Sequence, residues 1–210
     1  MSCFYISLSF LSIGQTANVY NLTYKANGGI GNDVSQVGVI FDSTTLLNNS
    51  FTRTGYEFDG WNTKADGSGN NYMAGSVLAT TETILYANWK ELSYVVTLQH
   101  GKSDISVDLE PVLYSGKVTL NAPSTFTYEG YTLIGWAFDE NEAVKFKVGE
   151  KYDLTELLLN HTTKKANLVG VWKADTLSIS FIDTSNSKEI CDPLKTNYDE
   201  KYSSLDISII

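Results

Sequence analysis

The apolar and polar residues in the first half of the chain follow the order expected of short β-strands joined by tight turns. Asn27-Gly28-Gly29 is a strong turn signal. Gly60, directly before Trp61, predicts a β-bulge or a close approach of two backbones. Side chains alternate with the period of a half-buried strand in residues 19–25, 35–41, 56–61 and 83–89. The pattern therefore predicts a small, β-rich domain.

The landmarks of this domain occur twice. Residues 51–61 read FTRTGYEFDGW, and residues 126–136 read FTYEGYTLIGW. A closing phrase recurs as LYANWK at 85–90 and LVGVWK at 168–173. These phrases contain all four tryptophans of the chain, which are Trp61, Trp89, Trp136 and Trp172. A chain that repeats core landmarks, and no set of catalytic side chains, is expected to be a modular array.

The repeat predicts where the domains begin and end. We divide the chain into a leader (1–18), module one (19–90), module two (91–173) and an incomplete module three (174–210). Modules of this length are near the lower limit for independent folding, and we expect modules one and two each to fold alone. Module three stops before any Gly-Tyr-x-x-x-Gly-Trp phrase. We therefore expect the natural chain to continue beyond Ile210.

Two segments do not follow the strand pattern. Residues 3–14 are apolar and short, as in a secretory signal peptide, although no Lys or Arg precedes them. A strand, or a start codon placed within a longer gene, remains an alternative, and the segment is too short to span a bilayer. In module two, Leu154, Leu157 and Leu158 have helical spacing behind Asp153, a suitable N-cap. This spacing predicts one short helix.

Module one closely resembles the Listeria–Bacteroides repeat, the B-repeat module of internalin B and related surface proteins. The matching stretches are FTRTGY at 51–56, GWNT at 60–63, ADGSG at 65–69 and LYANW at 85–89. Module two keeps Gly130-Tyr131, Gly135-Trp136, Gly149 and Trp172, with His100-Gly101-Lys102 in place of Asn-Gly-Gly. The resemblance implies a mainly β (small α+β) fold of tandem β-grasp-like modules, two complete and one incomplete. It also implies adhesion, spacing or weak partner contact at a cell surface, without catalysis.

Charge and cysteine content exclude several classes of protein. The net charge is −9 and no module is basic, so the footprint of a nucleic-acid-binding protein is missing. The two cysteines, Cys3 and Cys191, lie outside modules one and two, so neither disulfides nor zinc belong to the repeated design. We predict no cofactor, no metal and no catalytic residue.

Four polar features were weighed as candidate chemistry. Gly101-Lys102-Ser103 ends like a phosphate-binding loop, but Val96 stands where the first glycine is required. His100 and His161 have no counterpart in module one and are expected to be solvated loop residues. Asp139, Glu140 and Glu142 offer the oxygen ligands that calcium prefers, but a charged turn is favoured because no glycine shapes a ligand loop. Asn21, Asn48 and Asn160 begin glycosylation sequons.

These features leave two functional hypotheses. The first is an extracellular or cell-surface repeat array that serves as stalk or adhesive module, with monomeric modules like beads on a string. Its partner would be a protein or glycan; we expect neither a nucleic-acid partner nor a transmembrane segment. The alternative is a carbohydrate-binding module that uses the exposed aromatic residues Tyr72, Phe138 or Phe146. The four tryptophans are expected in the core, and no sequence feature supports an enzyme.

Overall fold

The computed structural model describes residues 19–39, 44–78, 83–189 and 193–198. The leader (1–18), with its possible signal peptide, and both cysteines lie outside the described residues. The chain divides into two compact units, residues 1–90 and 91–210, and each has its own hydrophobic core.

The first unit contains one five-stranded sheet and a small two-stranded sheet. Its strands are β1 (Val19–Lys25), β2 (Val34–Val39), β3 (Thr44–Thr45), β4 (Tyr56–Asn62), β5 (Asn71–Tyr72), β6 (Val77–Leu78) and β7 (Ile84–Glu91). The large sheet has the order β2-β1-β7-β4-β5, and β3 pairs with β6. β1 and β7, the first and last strands of the unit, lie side by side in parallel. Alternate side chains of β1 and β7, including Leu22, Tyr24, Leu85 and Ala87, point into the core with Trp61.

The second unit repeats this plan. Its strands up to the end of module two are β8 (Ser93–Gln99), β9 (Ser106–Asp108), β10 (Val112–Leu113), β11 (Lys117–Thr119), β12 (Tyr131–Ala137), β13 (Phe146–Lys147), β14 (Lys151–Asp153), β15 (Leu159–Asn160) and β16 (Lys165–Ala174). The main sheet has the order β10-β8-β16-β12-β13, with β9 on β8 and β15 on β16. The first and last strands, β8 and β16, are again parallel neighbours.

The strand registers give a residue-by-residue correspondence between the two units. Tyr24 lies opposite Leu85 in the first unit, and Leu98 lies opposite Leu168 in the second. His100 therefore corresponds to Ala26, and Gly101 corresponds to Asn27. The sequence analysis, which placed His100-Gly101-Lys102 against Asn-Gly-Gly, was wrong by one position.

The expected short helix is reduced to a single 3-10 turn, Leu154–Glu156, which Asp153 precedes as N-cap. Leu154 and Leu157 are buried, but Leu158 is 72% exposed, so the three leucines do not share one buried face. The reason is that the backbone becomes extended at Leu157 and enters β15 at Leu159. The described residues contain no α-helix, so the fold is mainly β, as predicted. The β-grasp likeness stays a prediction.

The described part of module three contains strands but no complete module. Its strands are β17 (Thr176–Ile179), β18 (Ile182–Asp183), β19 (Lys188–Glu189) and β20 (Leu194–Asn197). β17 pairs with β20, and β18 pairs with β19, as two separate two-stranded sheets. The chain thus has two repeat domains and a partial third.

Candidate functional site

The first tryptophan of each module is a core residue, as predicted. Trp61 and Trp136 are buried, and each indole N–H donates a hydrogen bond to a backbone carbonyl, that of Leu47 at 2.9 Å and that of Leu120 at 3.1 Å. The second tryptophan of each module, Trp89 or Trp172, is half-buried. The Trp89 indole bonds the Ala26 carbonyl at 2.9 Å. The indoles of Trp89 and Trp172 fasten the turn after the first strand of each module to the last strand. The four tryptophans therefore do not form an exposed platform.

The glycine before each core tryptophan makes the close approach that the sequence predicted. A Cβ atom on Gly60 would lie 2.8 Å from the Tyr72 carbonyl oxygen, and one on Gly135 would lie 2.6 Å from that of Phe146. In module two the strand register also shifts between Leu133 and Gly135. Glycine is therefore required where the neighbouring strand crosses behind the tryptophan.

Of the three aromatic residues proposed to contact sugars, Phe138 borders an open surface cleft. Phe146 is a core residue, 6% exposed, which corrects the expectation that it is available to a ligand. It lies opposite Trp136 in the strand pair β12–β13, where its ring is covered on both sides. Tyr72 occupies the same position opposite Trp61, is half-buried and packs against the first core.

His100 is buried, 2% exposed, and the expectation of a solvated loop histidine was wrong. Its Nδ1 accepts a hydrogen bond from the Lys102 backbone N–H at 3.2 Å, so its Nε2 donates to the Thr127 carbonyl at 3.1 Å. The ring packs on Trp172, with 4.7 Å between centroids, and the Trp172 indole donates to the His100 carbonyl at 2.7 Å. His100 thus fills core space in module two, whereas module one has the smaller, also buried Ala26 at the corresponding position.

His161 is exposed, as expected, but it has a structural partner. Its Nδ1 lies 2.6 Å from the hydroxyl oxygen of Tyr94, a fully buried residue. Burial raises the pKa of the Tyr94 hydroxyl, and the contact gives this hydroxyl a hydrogen-bond partner. Both histidines therefore have structural roles.

The acidic residues after β12 belong to a turn. Asp139 accepts a hydrogen bond from the Asn141 backbone N–H at 3.0 Å, and Glu142 accepts one from the Phe138 N–H at 3.3 Å. Glu142 also lies 3.7 Å from the Lys145 amine. Within the described ranges, no three His, Cys, Asp or Glu side chains gather into a group that could hold a metal ion.

The loop that resembles the end of a phosphate-binding motif leads into strand β9, so it has no helix N-terminus behind it. Lys102 and Ser103 instead form one wall of an open cleft of about 800 Å³ in module two. Its other lining residues include Phe138, Asp139 and Glu140, together with Gln99 and Val169. Of these lining residues, the sequence pointed to Gly101, Lys102, Ser103, Phe138, Asp139 and Glu140, each for a different reason, but gave no signal for Gln99 or Val169.

Asn21, Asn48 and Asn160 are all exposed. Asn160 accepts hydrogen bonds from the backbone N–H groups of Thr162 and Thr163 at 3.0 and 2.9 Å. Glycosylation of the three sequons remains a prediction. No helix among the described residues is long and apolar enough to cross a membrane.

A family model described as the Listeria-Bacteroides repeat domain matches residues 20–88 and 94–158. Because these matches cover more than half of the chain, the protein belongs to the Listeria–Bacteroides repeat family, as its sequence predicted. A relative from Evansella cellulosilytica, described as "Putative Gly-rich membrane protein", is 27% identical over 181 residues. The match covers 80% of this chain and 20% of the relative, so the chain spans about a fifth of the length of that protein.

Proposed function

We propose that the chain is a non-catalytic section of an extracellular or cell-surface repeat array, in which the modules act as a stalk or spacer. The observation that carries this proposal is that both complete modules are built on one plan. Each joins its first and last strands in parallel and ties two tryptophans to backbone carbonyls. Each unit also has its own core. Such modules add length when they are repeated.

The comparisons support a place for this array in the cell envelope. The family is one of repeat domains, and the relative from Evansella is described as a membrane protein. A non-catalytic role agrees with the structural use of both histidines and of Asp139 and Glu142. Our domain limits, 19–90, 91–173 and 174–210, are part of this proposal.

A swap of modules tests the spacer role. The chain is displayed on a cell with a peptide tag at its outer end, and antibody access to the tag is measured as a function of module number. Replacing module two with a second copy of module one should leave access unchanged, whereas deleting a module should reduce it. If the swap blocks access as strongly as the deletion, module length is not what the array provides.

Adhesion to a carbohydrate is a second candidate function, because Phe138 stands beside the open cleft of module two. Several exposed aromatic residues are not available for this function, because Phe146 is buried in the core and Tyr72 is half-buried. What remains is a single site in module two. Unlike the spacer role, this function should be lost when module two is replaced with module one.

A further inference from the structure

One position carries a bridging side chain in module one and no side chain in module two. Asn27 and Gly101 correspond to each other in the strand registers. Both have the left-handed backbone conformation, with φ of 48° and 80°, which Asn and Gly tolerate better than other residues. The main difference at this position is therefore the amide side chain.

In module one the Asn27 amide joins two loops. Its Nδ2 donates to the carbonyl of Ala65, in the loop after β4, at 2.9 Å, and to that of Ala87, on β7, at 3.0 Å. The turn after β1 is thereby held against the loop after β4. The amide occupies the space between them.

In module two the same carbonyl is present but the amide is absent. Gly170 corresponds to Ala87, and a Cβ atom on Gly101 would lie 2.9 Å from the Gly170 carbonyl oxygen. Glu140 corresponds to Ala65, because each lies four residues after the core tryptophan. Gly101 and Glu140 both border the cleft of about 800 Å³. The cleft lies where module one is bridged by Asn27.

A second depression shares the lining residue Phe138 with this cleft. It has a volume of about 490 Å³ and is bordered by Phe138, Leu158, Asn160, Lys165 and Asn167, among others. Lys165, Asn167 and Val169 are alternate residues of β16, so they share its outward face. With about 3.3 Å per residue, they extend over roughly 13 Å. The two depressions share Phe138 and are lined by successive outward residues of β16, and we name them together the β16 groove.

The lining of the β16 groove selects among ligands. Gln99 and Asn167 have exposed amides that make no side-chain hydrogen bond within the described part of the chain. Three carboxylates, those of Asp104, Asp139 and Glu140, outnumber the Lys102 amine at the wider end. This charge balance repels polyanions, and the polar walls disfavour an apolar ligand. Sugar hydroxyls can donate to the carboxylates and both donate to and accept from the amides. The half-buried Phe138 ring packs against Phe146 and has the Lys145 amine 5.4 Å from its centroid, and the part left uncovered offers an apolar contact surface.

We propose that the β16 groove of module two binds a linear, uncharged oligosaccharide across the Phe138 ring. This inference deepens the second candidate function and rests on it, but it is independent of the spacer role. In module one Asn27 bridges the corresponding loops, so we do not expect the same groove there. Module one then serves as an internal reference that should not respond to the same ligand.

The test is titration of the full isotope-labelled chain, observed by NMR, with uncharged tetrasaccharides of glucose, xylose, mannose and N-acetylglucosamine, each up to about 10 mM, a range suited to weak binding. A lysine-rich peptide is titrated in parallel. Saturable shifts are expected at 99–106, 138–140 and 165–169, and none at 27–33 or 62–71. Asn167→Ala and Gln99→Ala should each weaken binding about three- to tenfold, as for the loss of one hydrogen bond.

Asn121→Ala removes an exposed amide outside the groove and is the matched control; it should leave binding unchanged. Oligosaccharide binding that is insensitive to salt supports the proposal. Absence of shifts with all four sugars overturns it, as does binding of the lysine-rich peptide alone with loss at high salt. Sugar-induced shifts confined to another surface would show that the β16 groove is not the binding site, although carbohydrate adhesion itself would still be supported. None of these results bears on antibody access in the module swap.

Discussion

At the scale of single residues, His100 marks how module two has diverged from module one. Replacing His100 with alanine restores the residue found at Ala26 but leaves a hole beneath Trp172 and beside Phe126, whose ring centroid is 5.2 Å from that of His100. We expect His100→Ala to lower the free energy of unfolding of module two by about 2–4 kcal/mol, as for other large-to-small core changes. Denaturant unfolding of the full chain, followed by tryptophan fluorescence, measures this loss.

Lys102→Ala is the control for this substitution, because Lys102 is exposed and only two residues away. It should change stability by no more than about 0.5 kcal/mol, the range usual for surface positions. Equal effects of the two substitutions would mean that the His100 ring contributes no packing energy.

The burial of the Gly-Trp pairs could be predicted from the sequence, whereas that of His100 could not. The Gly-Trp pairs were placed correctly, because their spacing repeats and a large aromatic residue next to a glycine has one common explanation, a core position at a close strand crossing. His100 was misplaced because a polar residue after a strand usually belongs to a solvated loop. Its burial depends on Phe126 and Trp172, which are distant in sequence and reach it only through the fold.

At the scale of elements, the loop after β4 in module one is organised by a single buried amide. Asn62 is 1% exposed. Its Nδ2 donates to the Gly67 and Gly69 carbonyls and to Asn71 Oδ1, at 2.6–3.3 Å. Its Oδ1 accepts from the Lys64 and Gly69 backbone N–H groups at 2.8 and 3.0 Å. Ala137 takes this position in module two, where the turn is held instead by Asp139 and Glu142.

Asn62→Ala should therefore destabilise module one by about 2–3 kcal/mol, since buried loop groups lose their partners. It should also speed amide exchange at Lys64 and Gly69. Asn70→Ala, which removes an exposed amide from the same loop, should have little effect on either measurement. Unchanged exchange at Gly69 in Asn62→Ala would contradict this account of the loop.

A second element-scale prediction concerns the strands β8, β9 and β16, which Asp108 links. The hydrogen bond from the Thr97 hydroxyl, followed by that from the Lys165 amine, holds the pKa of the Asp108 carboxyl below its usual range. Because the folded-state pKa is lower than that of the unfolded chain, this stabilisation is complete above about pH 4. It is lost as the pH falls through the folded-state pKa.

Since Asp108 is exposed, the effect on stability should be small, about 0.5 kcal/mol or less. The pKa itself is the sharper readout. Thr97→Val removes the hydroxyl while keeping the side-chain shape, and it should raise the Asp108 pKa toward the ordinary aspartate value. A carboxyl-carbon NMR titration measures this change, and Asp104, which is not the ion-pair partner of Lys165, serves as reference within the same spectrum. An Asp108 pKa unaffected by Thr97→Val would refute the assigned cause.

At the scale of the whole molecule, the beginning of module three is joined to module two by specific contacts. Only Asp175 separates β16 from β17. The Asp175 backbone N–H donates to the Gly130 carbonyl at 2.8 Å, and its carboxylate accepts from the Thr132 hydroxyl at 2.6 Å. The Tyr198 ring lies against Tyr131, with 5.8 Å between centroids. These contacts favour a stiff joint at this place over the independent beads that the sequence analysis expected.

Gly130, which belongs to the repeated Gly-Tyr phrase, lies against Tyr198 of module three at this joint. A Cβ atom on Gly130 would lie 2.2 Å from Tyr198 ring carbons, whereas one on Gly149 would have no neighbour within 4 Å. Both glycines have positive φ, 75° and 81°, so alanine should carry a similar backbone cost of about 1–2 kcal/mol at either position. The two substitutions differ mainly in the presence of Tyr198.

We therefore expect residues 91–198 to be more stable than residues 91–173 by about 1 kcal/mol, the value of an aromatic contact with its ordered backbone hydrogen bonds. Gly130→Ala should remove this difference by displacing Tyr198, and Gly149→Ala should preserve it. Thermal unfolding of the two fragments with each substitution measures the four values, and cooperative melting of 91–173 also tests whether module two folds alone. If Gly130→Ala and Gly149→Ala have equal effects in 91–198, Tyr198 does not dock on module two in solution, and the modules are joined as independent beads.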